Sequence, residues 1–146
     1  MQNIGSTILR VVLGIIFAVH GYQKFQGGIS FTADYFSSLG IPGFMAYVVA
    51  IIELVGGAAI ILGLGTRLFG ALLTATMVVA IFTAKLSVGF IGENGLAGYE
   101  LDLALGAIAL YFALAGASSY SLDAKLFKKR VMFSPALYFL CGSEQL

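Results

Sequence analysis

Four apolar runs of roughly twenty residues each leave this chain few folds to adopt. A bilayer core of about 30 Å is crossed by about 20 helical residues. The runs extend from Ile4 to about Phe25, from about Phe44 to Leu64, from about Thr66 to Leu86 and from about Tyr99 to Ala117. Composition agrees: 60% of the 146 residues are hydrophobic and 10% are charged. Soluble domains carry about 25% charged residues, so this chain lacks the polar surface to cover a globule in water. The expected fold is an all-α integral membrane bundle of four transmembrane helices.

The connections refine that picture. GLGTR, residues 63 to 67, is short enough to force the second and third spans into an antiparallel hairpin. Between the first two spans, Gly27-Gly28 and Gly40-Ile41-Pro42-Gly43 are breakers. FTADYFSSL between them places Phe31, Tyr35 and Leu39 at helical spacing. This spacing predicts a short interfacial helix after the first span; a loop with chance aromatics is the alternative. SVGFIGENGLAG, with Glu93, is either a loop folded over the helix ends or a plain connector.

Orientation follows from the basic residues. One side holds both termini, Arg67, Lys125, Lys128, Lys129 and Arg130, with Arg10 a turn and a half inside the first span. The other side holds only Lys24 and Lys85. The positive-inside bias places both termini of a multi-pass membrane protein in the cytoplasm. The first span lacks a basic n-region and a cleavage site, and reads as retained. Residues 1–125 form the expected membrane domain. Residues 126–146 read as a basic juxtamembrane segment and a tail, either a native extension or a foreign appendage.

Ionisable groups inside spans are costly and tend to mark function. Arg10, Gly14, Phe17, Gly21 and Lys24 form one stripe along the first span, with His20 beside Phe17 and Lys24. This stripe is expected to face other helices, the glycines permitting close approach. Glu53 sits in the middle of the second span. It must be protonated, hydrogen-bonded or paired, and Arg10, His20 and Lys24 are its available partners. A buried ion pair that only fixes register is the plainer alternative. Glu100 shares a stripe with Ala104, Ala107 and Tyr111, expected to look inward; Asp102 reads as a helix-start acid suited to the dipole. Lys85 either snorkels to the surface or joins His20, Lys24 and Glu100 around a polar pocket.

Several chemistries lack support. There is no CxxC, P-loop or GxGxxG after a strand. A single histidine cannot give bis-histidine haem ligation, and the carboxylates are too scattered for a convincing metal site. The net charge of +1 makes no case for nucleic acid. The lone Cys141 cannot form an intrachain disulfide.

An ordered set of motifs points further. R-x3-G-x5-HG-x2-K is met by Arg10, Gly14, His20, Gly21 and Lys24. LGIPG follows at residues 39–43, then EL-x-GG-x4-LGL-x-TR from Glu53 to Arg67, GYELDL at 98–103 and YSLD at 120–123. In this order and spacing the chain resembles the DoxX family of small bacterial four-helix membrane proteins over about residues 5 to 125. GASSYSLD departs from the Gly-Pro-Gly that many members carry before Ser-Leu-Asp. The resemblance implies an oxidoreductase subunit, linked to quinone reduction or to oxidative or thiol stress.

The expected function is thus a membrane component of a redox system, with a quinone or similar small aromatic as its ligand or cofactor. His20, Glu53 and Glu100 are the candidate catalytic residues. Lys24, Phe17, Tyr111, Arg10 and Lys85 are the candidate binding residues. Electrons must come from elsewhere. The alternatives are a non-enzymatic scaffold recruiting a soluble redox enzyme through KLFKKR on the cytoplasmic side, and a small transporter for a weak acid or thiol compound.

Overall fold

The computed structural model describes residues 2–92, 97–116 and 121–123. Glu93, the KLFKKR segment and the tail to residue 146 lie outside the described residues. The described part is helical and contains no strand. Helix α1 spans Gln2–Gln26, α2 Ile29–Ser38, α3 Met45–Leu62, α4 Thr66–Ala80 and α5 Glu100–Ala115. Helix α4 continues as a π-helical turn, Ile81–Lys85, and a 3-10 turn, Leu86–Val88. Among the described residues, three stretches are long and apolar enough to cross a membrane: Ile4–Gln26, Phe44–Leu62 and Thr66–Val88. Helix α5 has 16 residues, about 24 Å at 1.5 Å per residue, and falls short of that length.

Glycines organise the bundle into two close-packed antiparallel pairs. In the first, Gly14 and Gly21 of α1 lie against the α3 backbone. A methyl group added at Gly21 would come within 2.5 Å of the Leu54 nitrogen, and one at Gly14 within 2.6 Å of the Gly57 carbonyl oxygen. In the second, a methyl group at Gly70 of α4 would come within 2.7 Å of the Ala113 nitrogen on α5. Backbones this close gain dispersion contacts that substitute for the hydrophobic drive absent in lipid. The pairs meet through one core cluster: Leu13 and Phe17 from α1, Ile60 from α3, Leu73 and Met77 from α4, and Leu105, Ala109 and Phe112 from α5.

The opposite faces carry large exposed apolar side chains. On α1 these are Ile4, Ile8, Val12, Ile15 and Val19, at the three- and four-residue steps of one helical face. In water this face would be a liability; against acyl chains it is a matched surface. The predicted stripe of Arg10, Gly14, Phe17 and Gly21 is buried, with Lys24 half-buried.

The antiparallel path sorts the polar residues to two ends. The end of α1, the start of α3, the end of α4 and the start of α5 share one end, with α2 beside them. The start of α1, the α3–α4 turn and the end of α5 share the other. There Arg10 is buried beside Gly63 and Ser121.

Candidate functional site

Lys24 and Lys85 occupy equivalent places, each in the last turn of a helix that runs toward the same end of the bundle. Cα–Cβ bonds tilt toward a helix N-terminus, so both side chains start out directed back into the bundle. Each meets an acid on the antiparallel neighbour, whose own Cβ tilts the opposite way. Lys24 donates to Glu53 of α3, and Lys85 donates to Asp102 of α5. The carboxylates are the deeper partners: the Glu53 side chain is 4% exposed and that of Asp102 12%, against 23% for Lys24 and 29% for Lys85. The acids are thus desolvated but paired, and the ammonium groups remain partly accessible. Breaking one partner out of such a pair leaves a buried charge without compensation, a far larger penalty than the net worth of the pair.

The π-helical turn has a part in this. The face of α4 toward α5 runs through Gly70, Leu73 and Met77, all buried. A π turn inserts one residue into the helical count and retards the phase. Lys85 ends this turn and meets Asp102, with Ala84 beside it on the cavity wall.

Both ion pairs line one cavity of about 410 Å³, between the α1/α3 pair and the α4/α5 pair. Phe17, Met77 and Leu105, members of the core cluster, also line it. Tyr35 and Phe36 of α2, with Leu39 just after it, complete its apolar wall. His20 lines it as well and is exposed in the isolated chain. The volume lies in the small range of ligand sites, roughly 300 to 1,000 Å³, and the lining has their usual character of apolar walls with a few polar groups.

The sequence-predicted residues thus divide. His20, Lys24, Glu53, Phe17 and Lys85 come together around the cavity. Arg10 does not: it lies toward the other end, near Gly63, Ser121 and Asp123. Glu100 and Tyr111 are exposed and do not line the cavity; Tyr111 instead packs edge-on against Phe112, with centroids 5.1 Å apart. The reason lies in the phase of α5. Its buried face is Asp102, Leu105, Gly106, Ala109 and Phe112. The stripe through Glu100, Ala104, Ala107 and Tyr111 is the exposed one.

Asp102 is the site residue that sequence reasoning passed over, because an acid in a first turn is explained by capping alone. Its spacing to Leu105 and Ala109 was the available signal. The contribution of α2 to the wall was carried by Tyr35 and Leu39, read there only as a surface-seeking face.

Helices of membrane-crossing length, glycine-mediated packing and a charged cavity in an otherwise apolar bundle define a small multi-span membrane protein with an internal polar site. The chain belongs to the DoxX family, whose profile matches residues 5–86. It is 45% identical over 126 residues to the Bacillus subtilis (strain 168) protein named "Putative oxidoreductase CatD", covering 86% of this chain and 90% of that one. It is 33% identical over 135 residues to "Inner membrane protein YqjF" of Escherichia coli (strain K12), covering 88% of this chain and 97% of that one. It is also 33% identical over 133 residues to "Uncharacterized membrane protein Rv3486" of Mycobacterium tuberculosis (strain ATCC 25618 / H37Rv), covering 83% and 80% respectively. No solved structure matches the chain.

Proposed function

We propose that this protein is the membrane component of a redox system and holds a quinone or similar small aromatic in the cavity between its two helix pairs. The observation that carries this reading is the cavity itself: about 410 Å³, walled by Phe17, Phe36 and Leu105, with the Lys24–Glu53 pair reaching into it. Apolar walls suit a ring, and a partly accessible ammonium suits a ring oxygen. In this reading Lys24 donates to the oxygen through Nζ and His20 offers a second polar contact from the mouth. Glu53 holds Lys24 in place and can take up or return a proton at the Lys24 ammonium. Electrons come from a separate donor. The family relative named as an oxidoreductase supports a redox setting.

The membrane arrangement belongs to the same proposal. Helix α5 is the fourth span, since it packs antiparallel along α4 from Gly70 opposite Ala113 to Lys85 opposite Asp102. Helix α2, with no buried residue, lies in the interface at the outer end. Both termini are cytoplasmic, on the basic-residue bias of the sequence.

The test is a thermal-shift screen of the detergent-purified protein with quinones, catechols and thiol compounds, repeated on His20→Ala. Quinones should raise the unfolding temperature of the wild type and raise it less in the variant. Absence of a shift with every aromatic compound overturns the reading.

A further inference from the structure

A ring held at the charged end leaves most of the cavity's length unused. We infer that the cavity opens sideways, between α3 and α4, into the acyl chains of the bilayer, and that its ligand is a membrane-dissolved amphiphile whose apolar chain lies in this cleft. The inference rests on the reading of the cavity as an aromatic site. It goes beyond that reading in two ways: the ligand carries a chain, and it arrives from lipid rather than from water.

The first observation is the divergence of α3 and α4. Near their short turn the two helices touch: a methyl group added at Gly56 would lie 3.2 Å from the Phe69 ring and 3.6 Å from Leu73. From there toward the charged end, Ile52 and Val49 of α3 and Thr76 and Ala80 of α4 line the cavity. The close contacts of each helix lie elsewhere at this level, with Gly21 of α1 against α3 and Gly106 of α5 against Met77 of α4.

The second observation is the depth of the rim. Val48 of α3 and Ala75 and Val79 of α4 both line the cavity and are exposed. Met77 is the middle residue of the membrane-crossing stretch Thr66–Val88, so Ala75 and Val79 flank mid-span. A rim at that depth faces hydrocarbon. The third observation is the grading of polarity. The α4 wall runs from Lys85 to Leu72, about 20 Å at 1.5 Å per residue and longer than one ring. Its two hydroxyls are turned onto their own helix: Thr76 donates to the Leu72 carbonyl at 3.0 Å and Thr83 to the Val79 carbonyl at 2.7 Å. A second polar group placed along this wall would go unpartnered, whereas an apolar chain needs no partner. Lipid is as apolar as the wall, so the chain adds little affinity. It decides instead from which phase the ligand enters.

The opening is tested without any ligand. The chain has no tryptophan, so one introduced indole reports alone. Full-length Ile52→Trp, on the cavity wall, and Ile51→Trp, on the exposed face of α3, are reconstituted in dioleoylphosphatidylcholine vesicles with intact or dibrominated chains. Bromine quenches the indoles that acyl chains approach. Ile52→Trp should be quenched at least about half as strongly as Ile51→Trp, since the two residues lie at the same depth of the span Phe44–Leu62. Val49→Trp, also on the wall, repeats the measurement independently. Weaker quenching than this at both wall positions overturns the sideways opening.

The chain is located in the wild type by photolabelling in the same vesicles. The probe is 2,3-dimethoxy-5-methyl-1,4-benzoquinone bearing a ten-carbon chain with a terminal diazirine, used in trace amount and mapped by peptide mass spectrometry. Adducts should fall on Leu72, Ala75, Thr76 or Ile52. The same ring without a chain, at about ten times its dissociation constant, should lower these adducts about ten-fold by mass action and leave those on the exposed Val78 unchanged. A chainless ring that raises the unfolding temperature but displaces no cleft adduct overturns the inference and leaves the aromatic reading in place. A ring that does neither overturns the aromatic reading, and this inference with it.

Discussion

The carboxylate of Asp123 closes the first turn of α4 from 57 residues away, accepting hydrogen bonds from the Thr66 N–H at 3.0 Å and the Gly65 N–H at 2.9 Å. The first N–H groups of a helix have no partner within it, and a carboxylate there also opposes the helix dipole. The Asp123 N–H in turn donates to the Gly63 carbonyl at 2.9 Å, so the Ser-Leu-Asp segment is fastened to both sides of the α3–α4 turn. Asp123→Ala should lower the stability of the detergent-solubilised protein by about 1 kcal/mol, the usual worth of a cap. Asp123→Asn should recover part of that loss. Equilibrium unfolding followed by far-UV circular dichroism reads both, and an unchanged midpoint for Asp123→Ala would show the cap to be idle.

Gly63 makes a sharper case, since two requirements fall on one residue. It ends α3 in the left-handed region at φ 69°, and the Leu64 N–H reaches back to the Ala59 carbonyl at 2.9 Å. The Arg10 guanidinium also occupies the space that a Cβ would need. Gly65 shares the backbone requirement, at φ 58°, but a Cβ there meets only the Phe69 ring at 3.5 Å, an ordinary contact. Each alanine substitution should carry the backbone penalty of about 1–2 kcal/mol. Gly63→Ala should exceed Gly65→Ala by a further overpacking penalty of at least about 1 kcal/mol. Equal losses at the two positions would mean that Arg10 moves aside freely.

Gly21 tests the close approach of α1 and α3. A methyl group there would lie 2.5 Å from the Leu54 nitrogen and 2.8 Å from the Ala50 carbonyl oxygen, both backbone atoms that cannot swing away. Gly5, on the same helix, has nothing within 4 Å of an added methyl. Gly5→Ala should be neutral or stabilising by up to about 1 kcal/mol through helix propensity. Gly21→Ala should destabilise by about 1–3 kcal/mol through overpacking. Thermal unfolding in detergent separates the two, and Gly21→Ala behaving like Gly5→Ala would rule out the tight helix contact.

How far the sequence could be read depended on contrast. In α1 the stripe from Arg10 to Lys24 was legible because charges and glycines stand out in an apolar helix and share one phase. In α5 nearly every position is Ala, Leu, Ile or Gly, and lipid accepts the same residues as the core. The spacing of Asp102 to Leu105 and Ala109 was a faint cue to the face, and the stripe through Glu100 and Tyr111 was favoured over it. The partner of Glu53 was open for another reason: Arg10, His20 and Lys24 are all long enough to approach it, and only the inward start of the Lys24 side chain decides. The π turn before Lys85 leaves no proline or glycine marker in IFTAK. The contact of Asp123 with Thr66 is set by the chain's return to the same end of the bundle, which no local pattern encodes.

The Lys24–Glu53 pair should show the asymmetry of buried charges. Lys24→Met alone strands the Glu53 carboxylate, whose side chain is 4% exposed. The loss expected from breaking such a pair is about 3–5 kcal/mol, limited by whatever protonation relieves. Lys24→Met/Glu53→Leu removes both charges and should recover most of the loss. A double-mutant cycle on unfolding free energies measures this directly. If the paired variant is no more stable than Lys24→Met, the two residues are not coupled through charge.

The two acids at the start of α5 should part company under the same treatment. Glu100 is exposed, while Asp102 is 8% exposed and accepts from Lys85. Both stand in the first turn, where a negative charge favours the helix by about 0.3–1 kcal/mol. If capping were the whole account, Glu100→Gln and Asp102→Asn would lose similar small amounts. The ion pair predicts otherwise. Glu100→Gln should stay within about 0.5 kcal/mol of the wild type, as exposed substitutions do. Asp102→Asn should lose several times more, because it leaves the Lys85 ammonium without its counter-charge beside an apolar cavity. Adding Lys85→Met to Asp102→Asn should restore part of that loss, whereas adding it to Glu100→Gln should deepen the defect. The four unfolding midpoints, taken in one detergent at one pH, assign the partner of Lys85. Rescue through Glu100 in place of Asp102 would overturn the phase of α5 described above.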